Sequence, residues 1–340
     1  MSTAKHKIAI LRVLREAGGN ASSARIAQIA RGYGIDLTPR AIRVHLKEME
    51  ESGLVEPARR GRSGGRAITP RGLREIGDAM AIERVGFTSA RIDELAYRMS
   101  FNPDLPHPAG LVVLNMTFIA EQDFAAAVAE MVPVFDAGLA MGDYAALFRP
   151  GESAGAFQVP PGRIGIGTVC SVTVNGVLLN ERIPTVSRFA GVLELHNGRP
   201  TRFTDVISYE GTSLDPLEIF IKSGLTRVRE AARTGNGRIT ASYREIPGVA
   251  IGEAEKLLLR MRAAGLNGLL LLGTPNQPLL GITPQEGRAG MIIAGGLNPC
   301  AAFHEAGIVA EDTAMAQLIE YRCLRRYHEL ALEAGVSPRR

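Results

Sequence analysis

The 340-residue chain has no tryptophan, only three cysteines and six histidines, and few aromatic residues of any kind. Each shortage closes a class of function. Cys170, Cys300 and Cys323 are odd in number and lack metal-ligand spacing, so they read as buried or neutral thiols of a reducing compartment. The histidines stand singly. His107, among prolines, reads as a solvated loop residue, and no set of metal ligands and no nucleophile with its base stands out. No apolar run reaches the roughly 18 residues of a membrane span. Arg12 and Arg15 interrupt Ile8-Ala9-Ile10-Leu11 where a signal peptide needs an apolar core. A cytoplasmic protein without metal, cofactor or membrane partner is expected.

What the sequence does have is charge in one place. The net charge is +4, yet residues 1–77 carry 15 Lys and Arg against 7 Asp and Glu, leaving the remainder acidic. Within that basic quarter, residues 38–53 carry the punctuation of one helix. Thr38 is the expected N-cap, Pro39 the first helical residue and Gly53 the left-handed C-cap. Ile42, Leu46 and Met49 share one face, and Arg40, Arg43 and Lys47 another. Residues 7–17, with Ile8, Leu11 and Leu14, and residues 22–33, with Ile26, Ile29 and Ala30, read as two preceding helices. That order, with a short turn before a basic helix, is a helix-turn-helix. Residues 54–56 and 66–68 are expected to pair as strands around a glycine-rich wing. Arg59, Arg60, Arg62 and Arg66 would repel one another there unless an anion such as backbone phosphate neutralised them. A helix from Thr69-Pro70 to about Arg84, burying Leu73, Ile76 and Met80, completes a first domain over residues 1–83.

Thr88 is expected to cap a helix over residues 89–99. Three prolines in residues 102–108 then forbid helix and interior strand, so residues 84–109 read as a connecting helix and linker. From Gly110 the pattern is strand, helix and glycine, twice. Gly110 to Gly138 and Gly237 to Gly265 each span 28 positions, and Phe124, Met131 and Val132 align with Ile251, Leu258 and Leu259. Ile183 to Gly191 resembles Ile282 to Gly290 more weakly. An internal duplication, with halves of about 110–222 and 237–309, predicts two lobes with a ligand cleft between them. Residues 172–179 read as a strand with an Asn175-Gly176 turn, and residues 313–334 as a helix within a C-terminal piece, 310–340. The fold class is α+β: an N-terminal winged helix-turn-helix, then an α/β domain over residues 110–309.

Gly165 to Ser171 lacks the third glycine of a dinucleotide fingerprint and the lysine of a P-loop. Small polar residues flanked by glycine can still present amides and hydroxyls to an anion. On that basis the candidate ligand residues are Thr168, Cys170, Ser171, Thr212, Ser213, Asp215, Asn236, Asn276 and Asn298, with Arg188, Arg244 and Arg288 to clamp a carboxylate. Structural alternatives stand beside each: Asp215-Pro216 also suits a helix cap, and any of the arginines a glutamate partner.

Gly167-Thr-Val-Cys170-Ser, Asn175-Gly-Val-Leu178-Leu, Ser187-Arg188-Phe189, Gly211-Thr-Ser-Leu-Asp215-Pro-Leu-Glu218, Thr234-Gly-Asn-Gly237, Arg244-Glu-Ile-Pro247 and Gly295-Gly-Leu-Asn298-Pro299 occur in that order. Together, over residues 84–309, they resemble the regulatory domain of the NrpR nitrogen-regulation repressor family. The winged helix in front is similar to that family's layout. The resemblance implies a repressor that binds an inverted-repeat operator as a homodimer or higher oligomer and loses affinity when 2-oxoglutarate binds. Family members often carry two regulatory domains, whereas one is present here. The leading reading is therefore a ligand-responsive DNA-binding regulator contacting double-stranded DNA through Thr38, Arg40, Arg43, Lys47, Arg59, Arg60, Arg62 and Arg66. The alternative is an enzyme acting on a small acid or phosphorylated metabolite, its winged helix serving protein contacts.

Overall fold

A computed structural model describes residues 3–16, 20–31, 37–58, 65–73, 75, 86–104, 106–154 and 157–336. The chain divides into two compact units, Met1–Val85 and Gly86–Arg340. Among the described residues no helix is long and apolar enough to cross a membrane.

The first unit runs α1 (Thr3–Glu16), β1 (Asn20–Ala21), α2 (Ser23–Arg31), α3 (Pro39–Glu51), β2 (Val55–Pro57) and β3 (Arg66–Ile68). The strands form one small antiparallel sheet in the order β1-β3-β2. Leu11, Leu14, Ile26, Ala30, Ile42, Leu46 and Met49 meet in its core, as their helical spacing predicts. Thr38 caps α3, its hydroxyl accepting from the Ala41 amide at 3.2 Å, and Gly53 follows the helix at φ 71°. Residues 70–73 are helical, but Leu73 is exposed rather than buried, and Ile76 and Met80 lie outside the described residues.

In the second unit α4 (Phe87–Arg98) leads into β4 (Leu111–Ala120), α5 (Phe124–Asp136), β5 (Tyr144–Phe148), the hairpin β6 (Ser153–Ala154) and β7 (Phe157–Gln158), β8 (Arg163–Val169), α6 (Val172–Asn180), β9 (Val186–His196) and β10 (Arg199–Ser208). Then come α7 (Pro216–Lys222), α8 (Val228–Thr234), β11 (Gly237–Pro247), α9 (Ile251–Ala263), β12 (Leu269–Leu272), β13 (Arg288–Ala294), α10 (Asn298–Glu305), β14 (Ala310–Glu320), β15 (Arg325–Arg326) and α11 (Tyr327–Glu333). Two five-stranded sheets result, ordered β14-β4-β8-β5-β15 and β10-β9-β11-β13-β12, and every pairing in them is antiparallel.

The duplication is visible as a topology. β4, α5, β5, β8, α6 and β9 are followed by the same series as β11, α9, β12, β13, α10 and β14, and a 3-10 turn precedes both long helices. Each series ends in a strand that leaves its own sheet: β9 pairs with β11 of the second series, and β14 with β4 of the first. The lobes are thus locked by reciprocal strand exchange. Where the two crossing connections touch, a Cβ on Gly296 would lie 2.3 Å from the Val169 carbonyl oxygen, so only glycine fits. Asn298, fully buried beside it, accepts from the Thr240 amide at 2.9 Å and donates to the Leu139 carbonyl at 2.9 Å.

Several expectations are corrected. Residues 172–179 are helix α6, not a strand and turn. All-round burial leaves α6 no apolar periodicity, and Gly176 is required because a Cβ there would fall 2.1 Å from Met99 Cγ. Residues 313–334 are not one helix: β14, a 3-10 turn and β15 precede the short α11. Thr88 lies inside α4, buried, and its hydroxyl donates to the Leu214 carbonyl at 3.2 Å, while Gly86 takes the cap position. The proline-rich segment is no boundary. Asn102 bridges Ala109 within the second unit, whose first residue is Gly86. Arg288 opens β13, the counterpart of β8 with its Arg163, so the weaker match to Arg188 was out of register. Replacing Gly296 by alanine should lower the stability of the second unit by more than about 2 kcal/mol. Gly252→Ala, where a Cβ meets nothing within 4 Å, should be neutral or stabilise by up to about 1 kcal/mol. Urea unfolding followed by circular dichroism compares the two.

Candidate nucleic-acid interface and effector site

The cationic face of α3 is open. Arg40, Arg43 and Lys47 are all exposed, and among the described residues no carboxylate pairs with them. Nearby carboxylates are engaged elsewhere: Glu48 holds Lys7 at 2.9 Å, and Glu50 holds Arg66 at 2.7 Å. Arg66, expected to grip phosphate, is therefore drawn to Glu50 and ties the base of the wing to α3. Arg59, Arg60 and Arg62 lie outside the described residues. His45, partly buried on the same helix, has its pKa lowered by burial. One residue escaped the sequence reading. Val44 is 55% exposed although apolar, and it stands one helical turn from both Arg40 and Lys47. The same helical spacing that grouped the cations would have placed it among them.

In the second unit the candidate ligand residues fall into separate groups. Arg244 is the largest fully buried side chain among the described residues. Its guanidinium donates to the Ser171 carbonyl at 2.7 Å, to Ser171 Oγ at 2.6 Å and to Asn175 Oδ1, all neutral acceptors. Burial lowers its pKa. Thr168, three residues before Ser171, is buried and accepts from Asn115 at 3.3 Å. Burial pushes the Cys170 thiol up to about 11, so Cys170 is neutral, with Asp215 and Arg244 both acting on it. Burial likewise raises Tyr209, which feels Arg244, Asp215 and Cys170. These four side chains form one electrostatic cluster.

Asp215 caps α7, accepting from the Leu217 and Glu218 amides at 2.9 and 3.3 Å. Burial, reinforced by Glu218, raises its pKa to about 7. Asp215 and Ser213 line a cavity of about 330 Å³ together with Thr88, Arg91, Glu218 and Met315. Thr212 supports this loop, its hydroxyl accepting from the Leu214 amide at 3.1 Å. Arg91 donates to the Met315 carbonyl at 3.2 Å, and Met315 sits in a bulge of β14 at φ 49°. Arg91 also holds Glu94 at 2.9 Å, an ordinary i,i+3 helix pair, so nothing local marks its reach to Met315 far along the chain.

The remaining candidates lie apart. The expected clamp of Arg188, Arg244 and Arg288 does not form. Successive residues of a strand face opposite ways, so Arg244 turns toward α6 while Arg188 and Arg288 approach Glu245, at 3.6 Å and, through its carbonyl, 3.4 Å. Asn276 closes a turn, accepting from the Gly287 amide at 2.6 Å. Asn236 accepts from the Asn197 amide at 3.0 Å and lines a different concavity with Arg227 and Arg238. Asn298 is committed to the strand-crossing contacts described above.

Comparison with known proteins follows this division of the chain. A family described as NrpR regulatory domains NRD1 and 2 matches residues 85–326, and one described as the Ribonuclease R winged-helix domain matches residues 8–76. The global nitrogen regulator NrpRI of Methanosarcina mazei is 34% identical over 94% of this chain and 96% of its own length. The global nitrogen regulator NrpR of Methanococcus maripaludis is 29% identical over 96% of this chain, which spans 56% of that longer protein. A nitrogen repressor-like protein of Methanococcus jannaschii, solved by crystallography, superposes with a TM-score of 0.58 at 26% identity over 72% of this chain and 98% of its own. On these grounds the chain belongs to the NrpR family.

Proposed function

We propose that the protein is a cytoplasmic DNA-binding repressor of nitrogen-related genes, acting as a homodimer or higher oligomer on an inverted-repeat operator and released from it by 2-oxoglutarate. Its relatives are named as nitrogen regulators, not as enzymes. The observation that carries the DNA-binding part is the set of three exposed cations, paired with no carboxylate among the described residues, on a capped helix of a winged-helix unit. In the major groove, Arg40, Arg43 and Lys47 meet phosphates and guanine edges, and the wing arginines meet backbone. Val44, apolar amid cations, suits the methyl group of thymine. A single winged helix makes few contacts, so pairing two of them gives useful affinity.

The effector part rests on the cavity beside α7. A dicarboxylate there would meet Arg91, the Ser213 hydroxyl and the Asp215 carboxyl, which is protonated below about pH 7 and then donates rather than repels. Competition for Arg91 would loosen its hold on the β14 bulge. Arg91 belongs to α4, which begins directly after the winged-helix unit. A preference of about 2 kcal/mol for one state suffices to weaken operator binding tens-fold.

Gel shifts with the chain's own upstream DNA test the first part. Arg43→Ala should cost about 1–3 kcal/mol on a specific duplex. Val44→Ala should reduce discrimination at one base pair more than overall affinity. A double change of Arg60 and Arg62 to alanine should reduce the slope of log affinity against log salt by about 2. Unchanged binding and unchanged slope in all three would sink the assignment.

For the second part, 2-oxoglutarate binding measured by calorimetry should be weaker with operator bound, because coupling is reciprocal. Its affinity should fall as pH rises through about 7, when Asp215 ionises beside Glu218, itself paired with Lys222 at 3.0 Å. Asp215→Asn should abolish that pH dependence. Equal affinity with and without operator would refute the coupling.

A further inference from the structure

The duplication makes one surface of the second lobe conspicuous, because the first lobe shows what covers its counterpart. In the first lobe β15 pairs with the outer edge of β5, and α11 packs on α5 with Tyr327 stacked on Phe135, ring centroids 4.8 Å apart. In the second lobe β12 is the matching edge strand, and among the described residues no strand lies beyond it. On α5, Val128, Met131, Val132 and Phe135 are all buried. Carried across the duplication, these positions are Glu255, Leu258, Leu259 and Arg262 of α9. All four line one open groove of about 330 Å³ together with Leu269 and Leu272 of β12. Leu259 is 64% exposed there.

The strand is as unusual as the helix. Exposed edge strands are ordinarily guarded by charge, proline or a bulge. β10, the opposite edge of the same sheet, follows that rule with Arg199, Pro200, Arg202 and Asp205. β12 is Leu-Leu-Leu-Leu, each residue half-buried, with a single bulge in its pairing to β13 and no charge.

We infer that the α9–β12 groove is the contact between two copies of this chain, α9 of one packing antiparallel against α9 of the other about a twofold axis. The charges argue for a second copy over an unrelated partner. Glu255 and Arg262 are equidistant along α9 from the Leu258-Leu259 centre, so a twofold axis there sets each Glu255 opposite the partner copy's arginine, twice over. The leucines meet in the middle and the charges close the rim, the usual arrangement of a buried core with a polar border. The inference gives a surface to the oligomer in the proposed function, but it depends on neither DNA nor 2-oxoglutarate.

Sedimentation equilibrium of the full chain, free of DNA, tests it. The unaltered chain should be a dimer. Leu259→Glu, Glu255→Arg and Arg262→Glu, all at exposed positions, should each weaken self-association by at least about tenfold by adding a buried or like charge. The double variant E255R/R262E, which restores both pairs with reversed sign, should recover the dimer. A monomeric unaltered chain, a dimer indifferent to the single changes, or a double variant no better than the singles would each overturn the inference. Gel shifts on the same samples separate the two readings. A dimer that follows the charge pattern but binds no operator would refute the DNA assignment and leave this surface standing.

Discussion

Each half of the duplicated unit ends in a strand whose hydrogen bonds are made in the other half's sheet, and the rest of the second unit depends on that exchange. Neither sheet is complete without a strand from the opposite series, so neither lobe is a self-contained body. Separating them would break the β9–β11 and β14–β4 ladders. It would also strand the buried amide of Asn298, which spans both halves through Thr240 and Leu139. Among the features lying over this interlocked core are the α7 loop, the β14 bulge and the first turn of α4.

The exchange also explains why a near-symmetric unit carries asymmetric surfaces. After β9 the chain adds β10, α7 and α8. After β14 it adds β15 and α11. The first addition extends one sheet beyond β9 and leaves β12 as an edge. The second extends the other sheet beyond β5 and covers α5. The interior differs as well. Arg244 on β11 and Thr117 on β4 occupy matching strands, but Thr117 is bonded to Asp312 at 2.7 Å and approaches Cys300 at 3.3 Å, a neutral thiol raised by burial. Only one side of the pseudo-symmetric pair holds a buried cation. The cluster of Arg244, Cys170, Tyr209 and Asp215 therefore has no twin at the matching place on β4.

Much of the first unit could be read from the sequence because its signals are local. Thr38, Pro39 and Gly53 act within a few residues of themselves, and the apolar spacing of Ile42, Leu46 and Met49 reports a helix with one buried face. The duplication was legible for a similar reason, since both glycines that end the long helices need positive φ, 67° at Gly138 and 78° at Gly265. What failed was governed by distant partners. α6 is buried on every side and β-branched at four positions, so only its packing against α4 settles it as a helix. β14 carries a bulge that breaks its alternation and mimics helical spacing. The expected arginine clamp failed because the sequence gives the residue types but not the face of the sheet to which each turns.

The two units divide the electrostatic work in opposite ways. On α3 the cations are left exposed, where burying no charge costs little and a polyanion can displace water and counterions. In the second unit the charge at Arg244 is buried and held by neutral oxygens, where desolvation is costly and each acceptor must be in place. An exposed cationic helix gives affinity but little means of control, because screening affects it in every state alike. A buried cluster gives control, because a protonation or a carboxylate in its neighbourhood is felt strongly at low dielectric. Asp215, titrating near neutrality between the cavity and that cluster, stands where a small acid would have most leverage on the bulge that Arg91 grips. On the proposed reading the switch needs no large movement: the interaction to be broken is the hold of the Arg91 guanidinium on two backbone carbonyls, at Met315 and Ala316, by the helix that follows the winged-helix unit.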